Sequence, residues 1–223
     1  MKNKKIFIAC DSKNVSKIKK IIEQTKTNKI KVGYKFGLEF FNSKNGRKFI
    51  SKLKKKIIFI DLKLNDIPNT MKSAVESLKD LKINYLTVHI SSGLKALKEV
   101  KKVSGKIKIV GVTTLTSLDN NGLREIGYSK TVKNLVIHQT RLAKRANLDC
   151  LVVSPHEVRF VKKIFKKEII TPGIRLNSNF NDQKRVTSPR QAFKNGSNWL
   201  VVGRTITRGN LKNNLNKLIK NIS

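Results

Sequence analysis

Cysteine is scarce, with only Cys10 and Cys150 in 223 residues. Both sit inside apolar, strand-like runs, IFIACD and DCLVVSP, so no disulfide framework is indicated and a reducing compartment fits. Long hydrophobic runs are missing as well. No segment approaches the ~18 consecutive apolar residues of a membrane span, and the apolar part of the N-terminal MKNKKIFIACD is too short for a signal peptide. The cytoplasm is the expected address, and no membrane partner is expected. There is no GxGxxG, no Walker loop and no cysteine or histidine cluster at metal-ligand spacing, so the simplest expectation is a protein without metal or cofactor.

Acidic residues are few too. Fourteen Asp and Glu stand against 49 Lys and Arg, a formal charge of +35. Such a balance invites a nucleic-acid reading, but the lysines are scattered over nearly every segment (KNVSKIKK, KKVSGKIK, KKIFKK), on what would be the polar faces of helices. No RNP, zinc-finger or helix-turn-helix signature accompanies them. Lys, Asn and Ile share A/T-rich codons, so compositional bias accounts for the excess at least as well. A nucleic-acid partner is therefore not expected, although a cationic surface would attract phosphorylated ligands.

What is present is a rhythm of short apolar runs separated by amphipathic segments. Strands are expected at 5–11, 29–36, 57–63, 85–90, 108–115, 150–155, 168–174 and 199–206, with helices at 13–24, about 38–54, 67–81, 93–103, 130–147, 157–165, 189–195 and 210–222. In SPRQAFKNG the helix signals are complete: Ser188 as N-cap, Pro189 at the first helical position and Gly196 as the stop. Strands rich in Ile and Val, each returning through a helix, imply a parallel sheet buried on both faces. Eight such units without a linker predict an α/β fold in which residues 1–223 form one (β/α)8 TIM barrel. The stretch 176–187, LNSNFNDQKRVT, is the longest without a strong pattern, and structureless loops of that length in compact domains are usually functional or mobile.

In such a barrel the active site lies at the C-terminal ends of the strands, and there the unusual residues fall. Asp11, Lys35, Asp61 with Lys63, His89, and Thr113 to Thr116 close the first five strands; Pro172, Gly173 and Arg175 close the seventh, and Gly203 and Arg204 the eighth. In IIFIDLKLNDIPNT (57–70) strand alternation sends Asp61 and Lys63 to one side. Lys35, Asp61, Lys63 and Asp66 alternate in sign, so they can hold one another's charge in place out of water. A lone histidine at a strand end is more often structural, and His89 is left out of the catalytic set. TPGIR and VVGRTIT pair glycine with arginine in the turns that usually hold phosphate in these barrels: Gly lets backbone N–H groups approach the oxygens and Arg adds a bidentate charge.

DLKLNDIPNT, VTTLTS, the stretch from TPGIR to DQKR, and VVGRTIT together resemble orotidine 5'-phosphate decarboxylase, a family of the ribulose-phosphate-binding barrel superfamily, over nearly the whole chain from Ile8 to about Thr207. The resemblance implies conversion of orotidine 5'-phosphate to UMP and carbon dioxide, the last step of de novo pyrimidine synthesis. It implies that Asp11 and Lys35 hold the ribose hydroxyls, that Asp61 faces the orotate carboxylate and that Lys63 delivers the proton to C6. Asp66, Ile67 and Thr70 would reach into the neighbouring subunit's site of a homodimer. Thr116 would touch the pyrimidine edge, Pro172 and Arg175 would lie on a closing loop, Gln183 would bridge phosphate and base, and Gly203 and Arg204 would bind phosphate. DxKxxD is shared with sugar-phosphate decarboxylases and aldolases of the same superfamily. A metal-dependent keto-sugar-phosphate decarboxylase or hexulose-phosphate synthase is therefore the alternative.

Overall fold

In a computed structural model, which describes residues 4–176 and 186–222, eight parallel strands close into a barrel in sequential order. They are β1 (Lys5–Ala9), β2 (Lys31–Gly37), β3 (Ile57–Leu64), β4 (Tyr85–His89), β5 (Lys108–Val112), β6 (Cys150–Val152), β7 (Glu168–Thr171) and β8 (Trp199–Val202). Strand β8 pairs back onto β1, Ile6 opposite Leu200. Each expected strand is present, and the expected single (β/α)8 barrel is what forms. Among the described residues no helix is long and apolar enough to cross a membrane.

The helices cover the barrel in chain order: α1 (Val15–Gln24), α2 (Leu38–Phe41), α3 (Gly46–Ser51), α4 (Pro68–Ser77), α5 (Gly93–Val103), α6 (Asn120–Glu125), α7 (Val132–Arg145), α8 (Val158–Ile164), α9 (Pro189–Lys194), α10 (Arg204–Thr207) and α11 (Leu211–Ile222). Helix α9 starts as its sequence signals require, with the Ser188 side chain accepting from the Gln191 N–H. Several strands end short of their expected limits, and three differences bear on the architecture. The helix expected over about 38–54 is two, because the chain turns back on itself after Phe41: a Cβ on Gly46 would stand 1.9 Å from the Phe40 carbonyl oxygen, a closeness only glycine permits. The strand expected to run through Ile206 stops at Val202, where the turn at Gly203 opens into α10. A short helix, α6, forms beyond the VTTLTS segment, capped by Asp119, whose side chain accepts from the Asn121 and Gly122 N–H groups.

Outward-facing strand residues and the apolar helix faces make one continuous core, while Phe7, Phe59, Tyr85, Val110, Cys150, Ile170 and Trp199 fill the barrel's interior. Phe7 stacks on Trp199 with ring centroids 4.1 Å apart. A Cβ on Gly33 would come within 2.6 Å of the Phe7 ring, so glycine on β2 leaves room for that ring.

Below the aromatic layer, Glu168 joins the N-terminal ends of five strands. Its carboxylate accepts from Lys5 Nζ at 3.0 Å, Lys108 Nζ at 2.8 Å, the Tyr85 hydroxyl at 3.1 Å and Trp199 Nε1 at 3.3 Å. Burial alone would raise its pKa, but the bonds and charges of Lys108 and Lys5 outweigh burial and bring it from 4.5 to about 2. A carboxylate whose folded pKa is depressed contributes stability that is present above its unfolded value and is lost as pH falls through its folded one. Glu168→Gln is expected to cost about 2 kcal/mol at neutral pH, since hydrogen bonds to charged groups are worth about 1.5–3 kcal/mol each and the amide keeps part of the network. The gap between mutant and wild type in thermal melts should shrink as pH falls from about 4.5 toward about 2. A gap that stays constant across that window would remove the carboxylate's charge from the explanation.

Candidate active site

At the opposite end of the barrel the strands deliver charged side chains into one cleft of about 320 Å³. The first wall is built by β1 to β3. The Cys10 N–H donates to the Lys35 carbonyl at 2.8 Å, which carries the ladder one residue past β1 and sets Asp11 at the mouth. Lys35 lies between Gly33 and Gly37 on the lumen side of β2, where the glycines leave its side chain space. A Cβ on Gly37 would already stand 3.3 Å from both Lys35 Nζ and Asp11 Oδ1. The lysine is 8% exposed, and its ammonium lies 3.1 Å from Asp11 Oδ1 and 3.4 Å from Asp61 Oδ2. Asp61 in turn accepts from Lys63 Nζ at 2.9 Å. The result is a line of alternating charge, Asp11, Lys35, Asp61, Lys63.

Simple strand alternation is not what joins Asp61 to Lys63, contrary to the expectation. The β3–β4 register shifts between Ile60 and Leu64, and Lys63 adopts φ of 51°, a left-handed conformation that costs a non-glycine residue about 1–2 kcal/mol. Its N–H leaves the ladder and donates to Thr87 Oγ1 at 2.8 Å, while the Thr87 hydroxyl donates to Asp61 Oδ1 at 3.1 Å. Thr87 is fully buried on β4 and holds both the bent backbone and the carboxylate. The sequence reading passed over it, although it stands two positions before His89, on the lumen side of the same strand.

Burial opposes charge on these groups, yet pairing wins. The Lys35 ammonium, which burial would push down, is held above the usual lysine range by Asp61 and Asp11. Asp61, which burial would push up, is held below the usual carboxylate range by Lys35 and Lys63. His89, half-buried at the end of β4, is pushed down from the usual histidine range by burial and then by the Lys63 charge. Lys63 has the more exposed side chain of the pair, 34% accessible against 10% for Lys35, and it lines the cleft.

Within one chain Asp66 stands apart from this line. It is exposed, and its Oδ1 accepts the N–H of the next residue, Ile67, at 2.7 Å. Ile67 is 67% exposed, Thr70 is exposed in the first turn of α4, and none of the three lines the cleft.

The far wall comes from the later strands. Thr114, Leu115 and Thr116 after β5, and Ser154 after β6, line the cleft. Thr113 and Thr114 are committed internally, donating to the Val152 carbonyl at 3.1 Å and to Gln139 Oε1 at 3.2 Å. Pro172, Gly173 and Arg175 after β7 and Gly203 and Arg204 after β8 complete the wall. Gly173 has φ of 74°, a conformation that favours glycine. The ends of the long loop are pinned by a reciprocal pair: Arg175 N–H donates to the Thr187 carbonyl, and Thr187 N–H to the Gly173 carbonyl, each at 3.1 Å. Thr205 Oγ1 donates to the Ile174 carbonyl at 3.1 Å, which ties the β8 turn to the β7 turn. Gln183 lies outside the described residues. Among those described, no group of three His, Cys, Asp or Glu side chains could hold a metal ion.

A closed parallel barrel with an ion-paired cleft at the C-terminal ends of its strands defines the class: a (β/α)8-barrel enzyme. Residues 4–215 match the family described as Orotidine 5'-phosphate decarboxylase / HUMPS, and the chain belongs to it. Among its relatives is an orotidine 5'-phosphate decarboxylase of a Wolbachia endosymbiont (Wolbachia sp. subsp. Brugia malayi, strain TRS), 39% identical with 96% of each chain covered. Another is that of Oenococcus oeni, 40% identical with 92% of each covered. Among solved structures, the orotidine 5'-phosphate decarboxylase of Lactobacillus acidophilus superposes with a TM-score of 0.85 at 29% identity, covering 99% of each chain.

Proposed function

We propose that the chain is a carboxy-lyase that converts orotidine 5'-phosphate to UMP and carbon dioxide, with Lys63 as proton donor. The observation that carries this reading is the Asp11, Lys35, Asp61, Lys63 line, ending in an ammonium that opens on the cleft. In the reaction the C6–carboxyl bond breaks, its electron pair stays on C6 in the plane of the ring, and no neighbouring π system takes up the charge. A cation must stand at that carbon. An ammonium at ~4 Å contributes about 4 kcal/mol at an effective dielectric of about 20, and because its orientation is already fixed, little solvent reorganisation is needed. Lys63 then gives its proton to C6. Asp61 faces the leaving carboxylate, and repulsion between the two weakens binding of the charged ground state relative to the transition state.

Asp11 and Lys35 bind the ribose hydroxyls, Thr116 meets the base, Gly203 and Arg204 bind the phosphate, Gln183 bridges phosphate and base, and Pro172 and Arg175 lie on the loop that closes over it. Phosphate contacts far from the reacting carbon drive that closure. UMP formation followed at 25 °C, with and without excess EDTA, tests the reading: turnover unaffected by chelator is expected. Absence of turnover on orotidine 5'-phosphate, or its loss with EDTA, would favour a metal-dependent keto-sugar-phosphate decarboxylase or hexulose-phosphate synthase.

Asp66, Ile67 and Thr70 complete the site of a second copy in a homodimer. The exposed Ile67 side chain, an apolar group beside an exposed carboxylate on the rim, supports this. Mixing inactive Asp66→Ala and Lys63→Ala chains should restore part of the activity, since some mixed dimers then carry one intact site. No recovery after verified subunit exchange would count against a shared site.

A further inference from the structure

Ser154 lines the cleft, yet the reaction above gives it no part. It lies two positions beyond Val152, the last residue of β6, and both face the cleft while Val153 between them packs in the outer core. The serine is 1% exposed, and its Oγ has no hydrogen-bond partner among the described residues. Neighbouring hydroxyls behave differently. Thr87, Thr113 and Thr114 each bond within the protein, and Thr171 Oγ1 pairs with Ser197 Oγ at 2.7 Å. A buried hydroxyl left unpaired destabilises the fold relative to a methyl group, which needs no partner. A serine kept at this position is accounted for when a bound molecule supplies the missing bond.

Position identifies which part of the substrate supplies it. Given the decarboxylase reading, on which this inference rests, the phosphate lies against the turns after β7 and β8, and the ribose and reacting carbon against β1 to β3. With the C6 side of the ring held there, its opposite edge faces the remaining cleft wall, the arc formed by the ends of β5 and β6. The pyrimidine atoms pointing away from C6 are carbonyl oxygens and a ring N–H, which a serine hydroxyl satisfies as donor or acceptor. We propose that Ser154 is a specificity-determining residue whose hydroxyl hydrogen-bonds the polar edge of the pyrimidine.

Calorimetric titration of wild type and Ser154→Ala with UMP and with ribose 5-phosphate, which lacks the base, tests this. The variant should bind UMP about tenfold more weakly, the size of one lost hydrogen bond, bind ribose 5-phosphate as wild type does, and melt no lower than wild type without ligand. Ser154→Cys, of similar volume and weaker as a hydrogen-bonding group, carries the same comparison should the alanine variant fail to fold. Unchanged UMP affinity, or equal losses on both ligands with a lowered melting temperature, would overturn the assignment to the base. A wild-type chain that binds ribose 5-phosphate but not UMP would overturn the decarboxylase reading as well, and that result is visible before any variant is compared.

Discussion

Lys63→Ala is expected to lower kcat for orotidine 5'-phosphate by at least about a thousandfold, while UMP binding changes by less than about tenfold. The first figure follows from the ~4 kcal/mol assigned to an ammonium beside the C6 carbanion, at 1.36 kcal/mol for each factor of ten. Loss of the proton donor adds to it. The second follows because UMP carries hydrogen at C6 and places no negative charge there, so the ammonium contributes little to product binding. The fold should survive. Lys63 makes its ion pair with a side chain still 34% accessible, its N–H bond to Thr87 is a backbone bond that alanine keeps, and Lys35 remains to pair with Asp61. The strained φ of 51° is inherited by any non-glycine residue. Steady-state kinetics with UMP titration checks both halves, and a variant with near-normal kcat would end the assignment of Lys63.

The second large effect is expected at the other end of the substrate. Arg204→Ala should raise KM for orotidine 5'-phosphate by about a hundredfold, as expected for losing a charge-assisted, bidentate contact worth about 3 kcal/mol. Its turnover of orotidine, which has no phosphate, should match that of wild type. The comparison is sharp because Arg204 opens α10 immediately after the Gly203 turn, at the end of β8 and three strands round the barrel from Lys63 on β3. If the variant still prefers nucleotide over nucleoside as strongly as wild type does, phosphate is bound elsewhere. The other turn, with Arg175 after β7, would then be the first place to look.

The barrel was legible because its signals are local and repeated. Each strand is a short Ile/Val run, each return is amphipathic, and a parallel sheet with helices on both faces is the arrangement that buries all of them. Boundaries were less so. Whether a strand stops at Val202 or runs on to Ile206 depends on a turn at Gly203 that apolar character does not reveal, and the break between α2 and α3 depends on how closely Gly46 approaches Phe40. At the site, charges at strand ends stood out against apolar neighbours, so Asp11, Lys35, Asp61 and Lys63 could be named in advance. Thr87 and Ser154 could not. A hydroxyl on a strand is ordinary in sequence, and its importance comes from the neighbour it bonds or fails to bond, which only the closed barrel decides.

The bend at Lys63 has a consequence for anyone transplanting this chemistry. The hexapeptide Asp61 to Asp66 is not a portable cassette. Spliced into a flat strand of another scaffold, without a threonine across the seam to receive the displaced amide, it would lie straight and its amine would aim elsewhere. The heritable unit is a pair of adjacent strands, and a designer who copies one must copy both.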